Sequence, residues 1–87
     1  MIRVSTTSVL GGLVPTEKIA RIQMADGEIE EVSVSEDDIN ANNELMAYFI
    51  GRDKGGRVLV ELPRESASGR WRLWVSANSV KAIAAGV

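Results

Sequence analysis

The chain has 87 residues, of which 45% are hydrophobic and 25% are charged, and its net charge is −2. This length allows one domain with one modest core, and the composition is too apolar for a disordered chain. Histidine and cysteine are absent, which excludes disulfides, thiolate nucleophiles, the usual general base and most zinc sites.

The start of the chain carries no targeting signal that can be recognised. No apolar run approaches the ~20 residues that a membrane span needs, and the N-terminus lacks the apolar block of a signal peptide. We therefore expect a cytoplasmic protein with no membrane partner. Because the chain starts at Met1 and one domain fills its length, we also expect a complete small gene product with a single domain over residues 1–87.

The first elements in chain order are a strand and a loop. Residues 2–4 are predicted to form a short first strand. Residues 5–16 contain Gly11, Gly12 and Pro15 among serines and threonines, a composition that predicts a loop. No Gly-Lys-Ser/Thr follows the glycine pair, so this loop is not a phosphate loop.

A hairpin is predicted next, because residues 18–24 alternate and Asp26-Gly27 is a strong turn signal before the returning residues 28–34. A three-residue loop would place Arg21 opposite Glu31, whereas a two-residue loop would pair Met24 with Ile29. The pattern leaves both registers open. The apolar frame changes between Ile29 and Val32, which predicts a bulge there.

The acidic segment that follows has two interpretations. Ser35 before Glu36-Asp37-Asp38 is typical of an N-cap and a first helical turn. Ile39, Asn43, Met46 and Ile50 fit a helical stripe, but residues 45–50 also fit a strand. We favour a short helical turn and then a strand over 44–50, because the asparagines are poor helix formers.

The second half of the chain predicts two long strands. Residues 51–56 read as a turn, 57–62 as the clearest strand and 64–69 as a loop. Residues 70–75 form the last long strand, with Trp71, Leu73 and Val75 on one face and Arg72 and Trp74 on the other. A single turn over 76–79, a short strand over 80–83 and a loose tail over 84–87 complete the chain.

These elements predict a mainly β fold, a small antiparallel barrel of five or six strands with one short helical insert. An α+β meander with one helix is the alternative. The segment Gly69-Arg70-Trp71-Arg72-Leu73-Trp74-Val75-Ser76-Ala77-Asn78-Ser79-Val80 resembles the close of an SH3-like small β-barrel, where a strand, a helical turn and a last short strand follow one another. The resemblance implies a fold only, since such barrels have many roles.

Charge is unevenly distributed along the chain. Residues 17–44 contain nine acidic and two basic residues, a sum of −7, and residues 52–72 contain six basic and three acidic residues, a sum of +3. Ordinary solvated surface explains such a pattern. The alternatives are a basic hairpin that meets an anionic partner, and complementary ends that meet between copies of the chain.

Trp74 is the main candidate for a binding residue. If Leu73 and Val75 face the core, Trp74 faces outward beside Arg72, and Leu59 and Arg57 share the outward frame of a neighbouring strand. An exposed tryptophan flanked by arginines is typical of binding hot spots. Cover by the N-terminal segment or by the acidic insert is the competing interpretation. The candidate binding residues are Trp74, Arg72, Arg57, Leu59, Tyr48 and Arg70.

We therefore predict a non-enzymatic protein-interaction module or small accessory subunit, whose partner is another protein or a second copy of the chain. The alternative is nucleic-acid binding through the arginine-rich hairpin 52–72, by phosphate neutralisation and base stacking. No cofactor and no metal are expected. Residues 38–42 match the first half of a calcium loop, but Asn43 and Phe49 stand where glycine and glutamate are needed.

Overall fold

The computed structural model of the chain describes residues 1–82. These residues form strands joined by short loops and by two 3₁₀ turns. In chain order they are β1 (Ile2–Ser5), β2 (Ser8–Gly11), β3 (Glu17–Gln23), β4 (Ile29–Ser35), the turn η1 (Glu36–Asp38), β5 (Glu44–Arg52), β6 (Arg57–Glu61), β7 (Arg72–Ser76), the turn η2 (Ala77–Ser79) and β8 (Val80–Ala82).

The strands form two antiparallel sheets, a five-stranded sheet in the order β7-β6-β5-β1-β8 and a three-stranded sheet in the order β2-β3-β4. The predicted mainly β class is thus confirmed. Within residues 1–82 no hydrogen-bonded ladder joins the two sheets into one closed barrel. The alternative with a helix is wrong, because the described residues contain only the two 3₁₀ turns.

Within residues 1–82, one hydrophobic cluster lies between the sheets. The inward positions of β1, β5, β6 and β7 meet those of β3 and β4 in it, as expected for two stacked sheets. Its largest fully buried side chains are Ile22, Leu45, Leu62, Leu73, Val4, Val32, Val34, Val60 and Val75.

The hairpin of β3 and β4 adopts the three-residue loop. Arg21 lies opposite Glu31 in the ladder, and the backbone N–H of Met24 donates to the carbonyl of Glu28 over 2.7 Å. The predicted bulge near Ile29 is wrong, because the ladder runs without a break from one end of the strands to the other. The frame changes because Glu30 points into the protein while Ile29 is 48% exposed.

The predicted loop over 5–16 is wrong in part, because it contains β2. This strand pairs with β3, with Leu10 opposite Ile19 and Gly11 opposite Lys18. The β2–β3 hairpin turns through residues 12–16. β2 is short and its side chains are only partly buried, so it lacks the apolar alternation that reveals a buried strand.

The acidic segment forms the predicted short turn and strand. The Ser35 hydroxyl accepts a hydrogen bond from the Asp37 N–H over 3.2 Å, which caps η1, and β5 follows from Glu44. The helical stripe over 39–50 is therefore wrong. The Asn40 side chain accepts from the backbone N–H groups of Asn42 and Glu44, so this connector caps its own backbone.

The C-terminal elements follow the prediction with shifted boundaries. β5 continues to Arg52, inside the predicted turn, and the ladder shifts register between Phe49 and Gly51. β7 begins at Arg72, and the predicted inward position of Trp71 is wrong because this side chain is 51% exposed. The predicted end of the last strand at Ile83 and the tail over 84–87 lie outside the described residues.

Candidate functional site

The six residues predicted from the sequence come together around one outward sheet face, that of β5, β6 and β7. In the ladder Leu59 lies opposite Trp74, and Glu61 lies opposite both Tyr48 and Arg72. Residues directly opposite one another in an antiparallel pair point to the same side of the sheet. We call this surface, with Arg57 and Arg70 at its border, the Trp74 face.

Trp74 lies on the surface, 37% exposed. The guanidinium of Arg57 sits over its ring, 5.0 Å from the ring centroid, within cation–π range. The N-terminal segment and the acidic insert do not line its cavity. The nearby backbone belongs to the β3–β4 turn, where the N–H of Ala25 donates to the Trp74 carbonyl over 2.9 Å.

A small cavity of about 120 Å³ lies between this turn and the Trp74 ring. Three arginines and one aspartate provide its charged lining, so positive charge predominates there. The lining residues are Met24, Ala25, Asp26, Arg57, Arg70, Arg72 and Trp74.

Each arginine of the cavity is held by a carboxylate. Arg57 pairs with Asp53, Arg72 with Glu61 over 3.3 Å, and Arg70 with Glu30 over 3.9 Å. The three arginine side chains nevertheless remain 52%, 55% and 57% exposed. Hydrogen bonds from the Arg57 backbone N–H and then its side chain hold the pKa of Asp53 below its ordinary value. The arginines are therefore positioned but still open to a ligand.

Arg70 is fixed by a buried group that sequence reasoning missed. Glu30 is only 7% exposed and accepts hydrogen bonds from the Ser68 hydroxyl over 2.5 Å and the Ser68 N–H over 3.3 Å. These bonds, the Ser68 hydroxyl first, lower the pKa of Glu30 against its burial. The N–H of Ala67 also donates to the Glu31 carbonyl over 2.8 Å. Nothing in the local pattern of β4 reveals partners that lie about forty residues away.

A second arginine–aromatic pair lies on the other side of β5. Phe49 is opposite the buried Val60, so it points away from Tyr48 and the Trp74 face, although it is 46% exposed. The guanidinium of Arg52 lies 5.5 Å from the Phe49 ring centroid. Sequence reasoning missed Phe49.

The acidic and basic segments are not fully separated in space. They meet where Arg70 approaches Glu30 and where residues 66–70 contact β4. A larger cavity, about 630 Å³, is an open groove elsewhere, lined by Thr7, Ser8, Arg21, Ile29, Glu30, Glu31, Ala67 and Ser68. It contains the ion pair between Arg21 and Glu31 and no aromatic ring, so it resembles a binding hot spot less than the Trp74 face does.

Within residues 1–82, no group of three or more acidic side chains gathers in an arrangement suited to a metal ion. In the same part of the chain no helix is long and apolar enough to cross a membrane. No protein-family model, curated protein or solved structure matches the chain.

Proposed function

We propose that this protein is a non-enzymatic interaction module or small accessory subunit that binds a protein partner through the Trp74 face. One observation supports the proposal above all. A partly exposed tryptophan, covered on one side by Arg57, shares a cavity with two further arginines, each held by a carboxylate. Tryptophan, tyrosine and arginine are the residues that dominate binding energy at protein interfaces.

The pairing of the arginines favours a protein partner. Side chains that are already positioned lose less conformational freedom on binding, which increases affinity. The surrounding Leu59 and Tyr48 are apolar or aromatic and Glu61 is charged. Protein interfaces combine an apolar centre with a polar rim in a similar way. The absence of histidine and cysteine supports a non-enzymatic role.

The SH3-like resemblance belongs to this proposal. The order β7, η2 and β8, with β8 beside β1, supports it as a strand, a single helical turn and a last short strand. The three-stranded sheet between β1 and β5 has no place in that resemblance. A cytoplasmic location is likewise proposed from the sequence.

Nucleic-acid binding is the second candidate, favoured by the arginine–aromatic pair at Trp74 beside two further arginines. Aromatic rings stack on bases and arginines neutralise phosphates. Against it, Asp53 and Glu61 pair with Arg57 and Arg72 and would repel a phosphate backbone. If this candidate is correct, oligonucleotide binding should weaken steeply as salt rises.

The test is affinity capture from host lysate with the full chain, in halves with and without nuclease, read by mass spectrometry. Trp74→Ala removes the central side chain. Trp71→Ala is the matched control, because Trp71 is 51% exposed and does not line the cavity. Arg72→Glu, at an exposed strand position, is a second variant in case Trp74→Ala unfolds.

We expect one protein near stoichiometric amounts with the wild type and with Trp71→Ala, in both halves, and its loss with Trp74→Ala and Arg72→Glu. Equal recovery with all variants would contradict the proposed site. Recovery of nucleic acid, with proteins lost after nuclease, would favour the second candidate.

A further inference from the structure

We propose that the outer edge of β2 is a self-association site, at which β2 strands of two copies pair antiparallel around a twofold axis. This surface lies on the three-stranded sheet, and the inference goes beyond the function proposed for the Trp74 face. Four features carry it: the backbone groups of β2, the protection of the other edges, the exposed apolar tip beside it and the symmetry of the strand.

β2 is an edge strand with backbone groups that point away from its sheet. The Gly12 N–H donates to the Glu17 carbonyl over 2.9 Å, which marks this as a hydrogen-bonded pair. Such pairs alternate along an antiparallel ladder, so Leu10 and Ser8 also bond to β3. The N–H and carbonyl groups of Val9 and Gly11 therefore point outward, and in residues 1–82 no strand lies beside them.

The other three sheet edges carry charge or cover. At β4 the Glu31 carbonyl accepts from Ala67, and at β7 the Trp74 carbonyl accepts from Ala25. β8 carries Lys81, which pairs with Glu44 over 2.9 Å. Proteins protect edge strands from pairing in these ways. The β2 sequence Ser-Val-Leu-Gly has no charge. Residues of the connector 36–43 line a cavity of about 420 Å³ together with Val9, Leu10 and Gly11, but in the described residues this connector makes no backbone hydrogen bond to the strand.

An ordered apolar tip extends from this edge. Leu10 is 41% exposed, and Leu13 and Val14 beyond it are 97% and 51% exposed. The tip is held by the Glu17 carboxylate, which accepts from the Leu13 N–H over 3.2 Å. A Cβ at Gly12 would lie 2.6 Å from that side chain. The backbone of the loop at Leu13 is therefore held in place, which lowers the entropy cost of ordering the loop against a partner.

The strand is complementary to itself, which favours a second copy as the occupant. Antiparallel pairing through the outward groups places Val9 opposite Gly11 of the other copy, with four backbone hydrogen bonds about the axis. Leu10 then lies opposite its own symmetry mate, in a non-hydrogen-bonded pair where side chains approach closely. No like charges meet. The result is a twofold dimer with one continuous six-stranded sheet.

Because Leu10 faces its own copy, one position tests both the contact and its register. We propose sedimentation velocity of the full chain over a wide concentration range. Leu10→Lys and Leu10→Glu, each alone, place like charges opposite one another and should weaken dimerisation about tenfold or more. A mixture of the two variants places opposite charges there and should restore dimers. Ile29→Lys is the matched control, since Ile29 is 48% exposed on the same sheet.

The expected result is a concentration-dependent dimer for the wild type and for Ile29→Lys, monomers for each Leu10 variant and dimers again in the mixture. A wild type that stays monomeric at every concentration would overturn the proposal. So would an assembly that grows past the dimer, or a mixture no more associated than its components. Circular dichroism shows that the variants are folded. Partner capture by the Trp74 face is a separate readout, so either proposal can fail alone.

Discussion

The β5–β6–β7 meander and the β2–β3–β4 sheet are built from similar antiparallel ladders, yet their inward faces differ. In the meander every inward position of β6 and β7 is apolar and buried. In the three-stranded sheet a carboxylate, that of Glu30, takes an inward position, and Ile29 takes an outward one. Alternation of apolar and polar residues therefore identifies the inward face of β6 and β7. It does not identify that of β4, where the buried carboxylate of Glu30 has polar partners from another part of the chain.

The meander can be predicted from the sequence because the burial of apolar side chains alone sets its alternating pattern. Val58 and Val60 alternate with Arg57 and Leu59, and burial of the valines sets the whole frame. The outward positions of Trp74 and Leu59 follow from that frame and from the pairing of β6 with β7. Four residues predicted for the site, Trp74, Arg57, Arg70 and Arg72, do line one cavity.

The three-stranded sheet resists prediction because its determinants are distant. Glu30 is stabilised inward by Ser68 and Arg70, which come from the loop between β6 and β7. β2 is an edge strand, whose identity depends on pairing with β3 and not on its own apolar residues. The position of Trp71 is hard to predict for a related reason. β7 begins only after this residue, so the alternation of the strand does not determine where its side chain points.

The largest expected effect sharpens the comparison within the meander. Leu73→Ala should lower the free energy of unfolding by about 3 kcal/mol, because it leaves a cavity at a side chain that is 1% exposed. Leu59→Ala, on the outward side of the neighbouring strand, should cost under about 1 kcal/mol. Urea unfolding measures both. Equal losses would show that the two faces are not distinguished as described.

The next effect tests the inverted frame of β4. Glu30→Ala should lower the free energy of unfolding by about 2 kcal/mol, because it leaves Ser68 without its charged acceptor and removes the ion-pair partner of Arg70. Ile29→Ala, at a half-exposed outward position, is the neighbouring control and should change stability by a few tenths. A larger loss of stability from Ile29→Ala than from Glu30→Ala would indicate that Ile29, and not Glu30, faces the core.

Acid should destabilise the protein in part through the same carboxylate. The pKa of Glu30 is lowered from 4.5, first by the Ser68 hydroxyl, so the folded protein binds its proton more weakly than the unfolded chain does. Its stabilising contribution is therefore present above about pH 4.5 and is lost as pH falls through the folded pKa. Glu44 and Asp53, whose pKa values are also lowered, add to this loss.

Thermal unfolding across the acid range checks this expectation. The wild type should lose stability as pH falls below that value, and Glu30→Gln should show a shallower decline. A decline of the same steepness in Glu30→Gln would assign the acid sensitivity to other carboxylates.

The smallest effect concerns the turn that brings β3 and β4 beside the Trp74 face. Gly27 has a φ of 92°, a conformation that costs little only for glycine. Gly27→Ala should therefore lower the free energy of unfolding by about 1 kcal/mol. Gly51→Ala, where an added Cβ meets nothing within 4 Å and φ is not positive, is the comparison and should lose less. Equal losses of stability from the two variants would contradict the explanation by backbone conformation at Gly27.

The central claim is that the protein binds its partner on the outward face of the meander and not on that of the three-stranded sheet. The direct measurement is site-specific photocrosslinking in host cells, with a photoreactive amino acid in place of Leu59 in one variant and of Ile29 in another. Both side chains point outward, one on each sheet. We predict one crosslinked protein from position 59 and none of it from position 29. The same protein crosslinked from position 29 alone, or equally from both, would contradict the claim.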